Sequence, residues 1–476
     1  MGKQKLVDPF INLQLELRLP KVQIIIFQIT LNIINNNYSI TMMRNIISKT
    51  KNLIVDLNDN LPFIGMPLAI GWNIFHRFKF IIEKKILELI GKLKYDINKI
   101  DFDKISYVNP QKIQYYLRDG FKKGDTYSRI KRGKWDQQKK SFEDLPVYQA
   151  FKQRFSEGKK WDEIKYFQNV QNDISNGMIR WGCKNKDEWA KKLSGVEDLY
   201  SKIKKNSSKL KNELSSSKEL YEKLEISTIL DDIIINIGRD GQLLLVDGEF
   251  GLSLAKALDL PEIPTKIKVR HKKWMSFKEK LSYFSRQNMF YQKVTHIDLQ
   301  DFPFKHGDER FILIKENLSI SKGTLLDIGT NLGYFCHKME DEGFDCYGVE
   351  ENLYYVYFLK KLRGAENKKF KIVTKSIFKY NKGKELVFDV VLALFIFHHF
   401  LKRKNTYLNL IKFLNRLKVK EMFFGAHNPR ELQNIRGYIN YTPDQFVNFI
   451  LENSCLNKAE LIWKMKSGRC IYKLSS

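Results

Sequence analysis

The sequence predicts an α/β protein, and three observations lead to that fold class. In residues 276–476, short apolar runs typical of strands alternate with segments of helical periodicity. Within them, an apolar run at residues 324–328 ends in a glycine-bearing turn that leads into a helix. Upstream, residues 232–270 predict a hairpin, a helix and a further strand. We therefore expect a parallel sheet with an antiparallel edge at the C-terminus, preceded by a small α+β domain and a helical N-terminal region.

The length of the chain predicts more than one domain, since 476 residues exceed what one hydrophobic core normally fills. A hydrophobic content of 43% with only 11 prolines excludes a disordered or fibrous chain. Residues 72–94 have the periodicity of an amphipathic helix. The expected divisions are an unassigned segment at 1–60, a mostly helical region at 61–185, an α+β domain at 186–275 and a third domain at 276–476.

The net charge of +28 raises the question of a nucleic-acid partner. The excess is spread along the chain, with its densest runs at residues 202–211 and 270–280. Scattered lysines usually form a solvated face. Nucleic-acid binding therefore stays open but is not favoured.

Cysteine usage and hydropathy indicate the compartment. The five cysteines form no C-x-x-C pair, so neither a disulfide framework nor a metal site is expected. No segment reaches the roughly 18 to 20 uninterrupted apolar residues of a membrane span. Asp8 and Glu16 interrupt the start of the chain, which does not resemble a signal peptide. The expectation is a cytoplasmic protein without a membrane span.

The small α+β unit resembles the ParB-like domain over about 50 residues. In that domain an Asp-Gly pair is followed by basic residues, a helix and an Ile-Pro pair. In this sequence the corresponding stretch begins with Asp247 and Gly248. The resemblance implies that the basic pair contacts a nucleotide phosphate at a helix N-terminus. Glu249, Phe250 and Gly251 stand at those positions, which favours a structural or substrate-presenting role.

The turn after the run at 324–328 has the composition of a ligand-binding turn. Asp327 lies near the end of the run, and Gly329, Asn331 and Gly333 follow it at every second position through the turn. Glycine lets the backbone approach a ligand, and the following helix N-terminus offers free N–H groups. Asn is among the few other residues that tolerate a positive φ. These four residues are predicted to bind a cofactor.

The next predicted strand ends in an acidic residue. Glu350 follows Gly329 by 21 positions, a spacing that suits a carboxylate accepting both hydroxyls of a ribose. Glu351 is adjacent and is the less favoured ligand.

Together these residues resemble motifs I and II of the Rossmann-like class I methyltransferases. Those enzymes use D/E-x-G-x-G-x-G to hold the amino-acid tail of S-adenosylmethionine, whereas dehydrogenases use G-x-G-x-x-G to cradle a pyrophosphate. The present D-x-G-x-N-x-G pattern is similar to a variant of the first. The resemblance implies S-adenosylmethionine as cofactor.

A third apolar strand and the residues after it resemble motif IV of the same family. The resemblance implies that Leu394 and Phe395 line the cofactor and that His398 or His399 lies near the substrate, although packing explains the two histidines equally well. Ser376 stands where the family usually carries an acid, which implies a weaker or backbone contact with the adenine amino group.

Residues 291–310 lie where related enzymes carry a lid over the cofactor and part of the substrate pocket, although core packing explains their aromatic and histidine side chains equally well. They include His296, which joins His398 and His399 as candidate general bases.

The leading hypothesis is in-line transfer of a methyl group to an oxygen or nitrogen nucleophile of a small-molecule or glycan-like acceptor. One alternative is a noncatalytic cofactor-binding scaffold, supported by Ser376 in place of the acid. A second is an RNA methyltransferase that uses the basic surface. The sequence predicts no oligomeric state.

Overall fold

The computed structural model describes residues 105–117, 130–213, 232–285, 289–430 and 437–476. These residues belong to one compact unit, Glu88–Ser476. The unassigned segment at 1–60 and the predicted helix at 72–94 lie outside the described residues. Among the helices that are described, none combines the length and the apolar character needed to cross a bilayer.

The α-helices of the described residues cover both the upstream region and the C-terminal sheet. In chain order they are α1 Pro146–Phe155, α2 Lys165–Ser175, α3 Lys186–Glu213, α4 Glu249–Ala257, α5 Lys272–Phe284, α6 Glu309–Asn317, α7 Tyr334–Asp341, α8 Leu353–Ala365, α9 Lys404–Asn415 and α10 Pro443–Glu452.

The strands of the same residues form two large sheets and one small one. In chain order they are β1 Ile105–Val108, β2 Tyr115–Leu117, β3 Ile130–Lys131, β4 Lys139–Ser141, β5 Ile233–Ile237, β6 Leu243–Asp247, β7 Ile263–His271, β8 Phe290–Gln292, β9 Phe304–His306, β10 Thr324–Ile328, β11 Asp345–Val349, β12 Lys371–Val373, β13 Leu386–Leu394, β14 Leu417–Ala426, β15 Lys458–Lys464 and β16 Cys470–Ser475.

The first sheet has the order β1-β7-β5-β6-β2-β4, with β3 also paired to β7. The predicted α+β unit supplies its centre, where β5 and β6 form an antiparallel pair and β5 and β7 run parallel. The strands β1 and β2 come from the region predicted to be mostly helical, and they pair with β7 and β6. Because these partners lie far along the chain, local periodicity does not indicate such short strands.

The second sheet has the order β12-β11-β10-β13-β14-β16-β15. Its first five strands run parallel, and β16 is antiparallel to both β14 and β15. The prediction of an α/β fold with a parallel sheet and an antiparallel edge is confirmed. The domain divisions themselves stay a prediction; α5 spans the boundary placed at residue 276.

The central strands of the second sheet are apolar on both faces because helices cover both. Leu392 and Phe423 belong to the cluster that includes side chains of α6 and α7, and Val391 and Phe424 belong to the cluster that includes side chains of α9 and α10. This double layer fixes the edge at which the parallel strands end.

The first sheet and α8 pack against each other. A Cβ at Gly241, between β5 and β6, would lie within 3 Å of Trp274 and Ala365, so the backbone approaches these side chains closely. Nearby, Lys112 Nζ lies 2.7 Å from Glu366 Oε2, and the Glu366 side chain is only 2% exposed. The upstream region and the end of α8 therefore share a close-packed and partly ionic contact.

Candidate functional site

The carboxyl ends of the parallel strands form one edge of the second sheet, and most of the predicted cofactor residues lie along it. Asp327 is in β10, Glu350 follows β11 and Leu394 ends β13. Ligands of open parallel sheets bind at this edge, where the strand order reverses. The reversal falls at β10, whose neighbours are β11 and β13. The candidate site therefore lies at the ends of these three strands.

The turn between β10 and α7 contains three residues with a left-handed backbone. The φ angle is +76° at Gly329, +55° at Asn331 and +83° at Gly333. A Cβ at Gly329 would lie 2.9 Å from Ile396 Cδ1, and a Cβ at Gly333 would lie 2.4 Å from Leu359 Cδ1. At both positions the left-handed backbone favours glycine, and the neighbouring side chains leave no room for a Cβ.

Glu350 lies against this turn. Its Oε2 accepts a hydrogen bond from the Asn331 N–H at 3.1 Å, and its Oε1 accepts one from the Asn352 N–H at 2.9 Å. Burial raises the pKa of Glu350 to about 7, while these two backbone hydrogen bonds oppose the rise. Each carboxylate oxygen has a further lone pair with which it can accept a hydrogen bond from a ligand hydroxyl.

Asp327 occupies a different place from Glu350. Its carboxyl group is buried under the turn, where it is hydrogen-bonded to Thr330 and where Cys336 Sγ lies 3.8 Å from its Oδ2. Burial raises the pKa of Asp327 to about 6. The side chain therefore supports the turn from below. Thr330, which the motif leaves unspecified, has no sequence signal that distinguishes it.

The end of β13 is strained. Phe395 has a φ of +54°, and its N–H donates to the carbonyl of Gly425 at 3.1 Å. A Cβ at Gly425 would lie 2.6 Å from the Phe395 nitrogen, which explains the glycine. A left-handed backbone at a bulky residue costs roughly 1–3 kcal/mol and is typical of functional sites. Phe395 is buried, and Leu394 before it is half-buried.

His398 and His399 lie in the short 3₁₀ helix Phe397–Lys402 directly after this strand. The His398 ring centroid is 4.0 Å from that of His399 and 5.3 Å from that of His427, which follows β14. Burial and the neighbouring rings lower the pKa of His398 to about 2, and burial and Lys402 lower that of His399 to about 4. Both imidazoles are therefore neutral near pH 7. His427 was missed because it is distant in the sequence.

Ser376 lies three residues beyond β12, at the outer end of the same edge. It is half-buried, and its backbone carbonyl accepts hydrogen bonds from Lys379 and Tyr380.

His296 lies at the opposite end of α8. It lines a cavity of about 60 Å³ together with Glu366, the residue after α8. The helix begins close to Glu350, and its 13 residues extend over about 20 Å. His296 Nε2 is 2.9 Å from the Gly241 carbonyl oxygen, and its Nδ1 accepts from the Asp298 N–H at 3.2 Å. The structure therefore does not bring His296 together with the other two histidines.

The structure adds two arginines to the site. Arg310, at the start of α6, and Arg469, before β16, lie with their guanidinium carbons 4.8 and 5.6 Å from the Phe395 ring centroid. Arg310 falls within residues 291–310, where the family resemblance implies a lid over the cofactor and part of the substrate pocket, and where core packing is the alternative explanation. Neither arginine has a sequence signal of its own, because the chain brings them to Phe395 only by folding.

Within the described ranges, no group of three or more His, Cys, Asp or Glu side chains could hold a metal ion. All five cysteines are free thiols.

The strand order and the turn define a Rossmann-like α/β fold, with the candidate site at its switch point. No family model and no curated protein match the sequence. Among solved structures, the chain is similar to the bifunctional kinase-methyltransferase WbdD, with 17% identity and a TM-score of 0.34 over 39% of this chain and 44% of WbdD. The match thus spans less than half of the length of WbdD.

Two further similarities are to shorter proteins. The magnesium protoporphyrin IX methyltransferase ChlM of Synechocystis PCC 6803, solved with bound SAM, is 11% identical, with a TM-score of 0.27 over 35% of this chain and 76% of ChlM. The N-methyltransferase NodS of Bradyrhizobium japonicum WM9 is 12% identical, with a TM-score of 0.29 over 36% of this chain and 94% of NodS. Likenesses at this level carry no functional conclusion.

Proposed function

We propose that the chain binds S-adenosylmethionine and transfers its methyl group to an oxygen or nitrogen nucleophile. The observation that carries the proposal is the contact between the glycine turn and Glu350, with 3.1 Å between the Asn331 nitrogen and the carboxylate. A turn cleared of side chains, next to an acid at the end of the following strand, suits a cofactor that joins an amino-acid tail to a ribose.

The residues present fit this cofactor along the whole edge. Gly329, Asn331 and Gly333 would give the amino-acid tail a close backbone approach, and Glu350 would accept the ribose hydroxyls. Ser376 would lie at the adenine end. Leu394 and Phe395 would provide the apolar wall beside the methyl group, and Asp327 would hold the turn in shape from beneath.

The bound cofactor supplies an electrophilic sulfonium methyl group. Its transfer needs little covalent help, so the chain contributes mainly orientation and exclusion of water. His398 and His399 are the proposed bases at the acceptor side; both are neutral and able to accept a proton, but their lowered pKa values make them weak bases. For His296 we propose a structural role, since both ring nitrogens bond to backbone groups.

The acceptor is proposed to be a small molecule or a glycan-like metabolite. The test is radiolabelled methyl transfer into a cell extract that is then separated into RNA, protein, lipid-glycan and small-molecule pools. A matched control is the Glu350→Ala variant, in which the same label should be lost. Label mainly in the RNA pool would establish the RNA methyltransferase alternative instead.

A noncatalytic scaffold is the second candidate function, favoured by Ser376 at the position of the expected acid. It predicts cofactor binding without label in any pool. Calorimetry with S-adenosylhomocysteine separates this outcome from a chain that does not bind the cofactor at all.

For the upstream unit we propose a ParB-like domain that presents substrate or stabilises the chain and does not hydrolyse nucleotides. Phe250, at a position where the family carries a basic residue, is fully buried, with its ring centroid 5.1 Å from Phe151 and 5.5 Å from Trp181. A side chain in that core cannot reach a phosphate. Turnover of CTP or ATP that disappears on substitution of Gly248 would contradict this proposal.

A further inference from the structure

Arg310 is a buried cation with an unpaired binding edge. The residue is only 1% exposed, and its side chain is among the largest fully buried side chains of the described residues. Nη1 lies 3.5 Å from the Tyr291 hydroxyl, at the limit of a hydrogen bond, while Nε and Nη2 are buried and have no hydrogen-bond partner. Burying a charge without a partner is costly, so a ligand is expected to complete this site.

The two nitrogens without a partner, Nε and Nη2, are the pair with which arginine binds an anion through two hydrogen bonds. Nε and Nη2 point in parallel from one edge of the guanidinium plane and match the two oxygens of a carboxylate or phosphate. The same chain uses this edge in Arg239, whose Nε lies 2.9 Å from Oδ2 and Nη2 2.6 Å from Oδ1 of Asp136. Arg310 presents the same edge without a carboxylate.

The acids closest to Arg310 in the sequence are engaged elsewhere. Asp308 Oδ2 accepts from Lys293 Nζ at 2.7 Å, and its Oδ1 accepts from the Tyr334 hydroxyl at 2.6 Å. Glu309 Oε1 lies 3.6 Å from His306 Nδ1. Neither acid pairs with the Arg310 edge.

The surroundings of Arg310 place it at the acceptor side of the sheet. It packs on the ring of Phe395, which also contacts Arg469, and Phe395 directly follows β13. His306 adds a third buried atom without a hydrogen-bond partner, Nε2, and its ring centroid is 5.1 Å from that of Tyr291. Basic and aromatic groups therefore converge beside the end of β13.

The electrostatics of this cluster favour a negative ligand. Burial together with Arg310, Lys305 and Arg469 lowers the pKa of His306 to about 4. Arg469 also contributes to the lowered pKa of His398. An acceptor that must lose a proton would find only weak bases in these histidines, because their pKa values are lowered. An acceptor that is already ionised needs no base.

We propose that the methyl acceptor is an oxyanion, a carboxylate or a phosphate ester, held by the Nε and Nη2 edge of Arg310 with Arg469 beside it. The proposal rests on the methyl-transfer function proposed above. A lone pair of the anionic oxygen forms the new O–CH₃ bond as the S–CH₃ bond breaks, and the electron pair of that bond stays on sulfur. The acceptor releases no proton, so with this class of acceptor the step does not require His398 or His399 as a base.

The first test measures anion binding to the full chain without cofactor, by thermal-shift titration and calorimetry. The probes are inorganic phosphate and acetate, with neutral acetamide as the control. We expect binding of at least one anion, and the stronger of the two indicates whether the acceptor is a phosphate ester or a carboxylate. Failure of the wild-type chain to bind either anion would overturn the proposal.

Variants assign this binding to Arg310. Arg310→Met should lower the affinity for the anion about tenfold or more, because it removes two charge-assisted hydrogen bonds. Lys315→Met, which removes an exposed charge from the same helix but outside this cluster, should change the affinity less than about twofold. If Arg310→Met does not fold, Arg310→Lys keeps the charge without the two-point edge and should still weaken binding. Equal affinity in the folded Arg310 variant and the wild type would refute the assignment.

The second test excludes the carboxylate of the cofactor itself as the anion. S-adenosylhomocysteine carries that carboxylate and 5′-methylthioadenosine lacks it. We expect Arg310→Met to change the affinity for both by less than about twofold. A tenfold loss for S-adenosylhomocysteine alone would assign Arg310 to the cofactor tail and overturn the proposal. Absence of binding of both adenosine ligands by the wild type would instead contradict the proposed function while leaving the anion measurements intact.

Discussion

Glu350 and Asp327 show how burial sets the chemistry of single residues at this site. Both are carboxylic acids at the ends of neighbouring strands, and burial raises the pKa of both, to about 7 and about 6. Glu350 bonds two backbone N–H groups at the open edge, whereas Asp327 bonds side chains under the turn. The spacing of the motif predicts both acids but not this difference, because the direction of each side chain depends on its neighbours.

The first prediction concerns the pH dependence of cofactor binding. Because the pKa of Glu350 is about 7, its carboxylate forms as the pH rises from 6 to 8 and then accepts hydroxyl hydrogen bonds more strongly. The affinity for S-adenosylhomocysteine, measured by calorimetry, should therefore rise several-fold over this range. In Glu350→Gln the affinity should be roughly tenfold lower and independent of pH. The same slope in both proteins would assign the titration to another group.

The second prediction concerns stability without ligand. Since the folded-state pKa of Asp327 is raised to about 6 from 3.8, its favourable contribution is complete below pH 3.8 and is lost as the pH rises through 6. Between pH 5 and pH 8 the wild type should lose about 1.5 kcal/mol of unfolding free energy relative to Asp327→Asn. Denaturant unfolding at the two pH values measures this difference, and a difference of the opposite sign would show that the hydrogen-bond donors outweigh burial.

Among the secondary-structure elements, the turn between β10 and α7 depends on Gly333. It has a φ of +83° and packs against Leu359 of α8 without room for a Cβ. The sequence predicts this turn well, because strand, glycines and helix are contiguous and each is required by local geometry. It does not predict the close contact with α8, which begins 20 residues later.

The third prediction compares two glycines. Gly333→Ala should lower the unfolding free energy by about 1–3 kcal/mol, through its left-handed backbone and its clash with Leu359, and should weaken cofactor binding. Gly364→Ala is the matched control, because Gly364 lies in α8, has an ordinary φ and has no atom within 4 Å of the position that a Cβ would take. It should raise stability by about 0.5–1 kcal/mol. Denaturant unfolding of both variants and calorimetry with S-adenosylhomocysteine test the pair.

Across the described unit as a whole, the contact around Glu366 links the first sheet to the end of α8. Glu366 bonds Lys112 and also accepts a hydrogen bond from the Thr295 hydroxyl, and its Oε1 lies 3.7 Å from His337 Nδ1. Lys112, His337 and His296 hold the pKa of Glu366 far below its usual value, although burial opposes this. The contribution of the Glu366 carboxylate to the stability of the folded state is therefore present above its unfolded-state pKa of about 4.5 and is lost as the pH falls below that value.

The fourth prediction is that substituting Lys112 lowers the unfolding free energy more than substituting Glu366 does. Lys112→Met leaves the buried Glu366 carboxylate without its lysine partner and should cost about 3–5 kcal/mol of unfolding free energy. Glu366→Leu leaves Lys112, which is 29% exposed, able to regain water and should cost less. The double variant should resemble Glu366→Leu, so that the losses are not additive. Additive losses in denaturant unfolding would mean that the two residues act independently.

The amino-acid sequence is sufficient to predict the α/β class, the order of strand, glycine turn and helix, and the acid at the end of the next strand. These follow from contiguous patterns, in which periodicity and the conformational demands of glycine act over a few residues. Folding in three dimensions was needed to show that Arg310 and Arg469 meet at Phe395, that His296 lies at the far end of α8, and that β1 and β2 join the first sheet. Those contacts join residues tens to hundreds of positions apart, and only packing and the burial of charge select them.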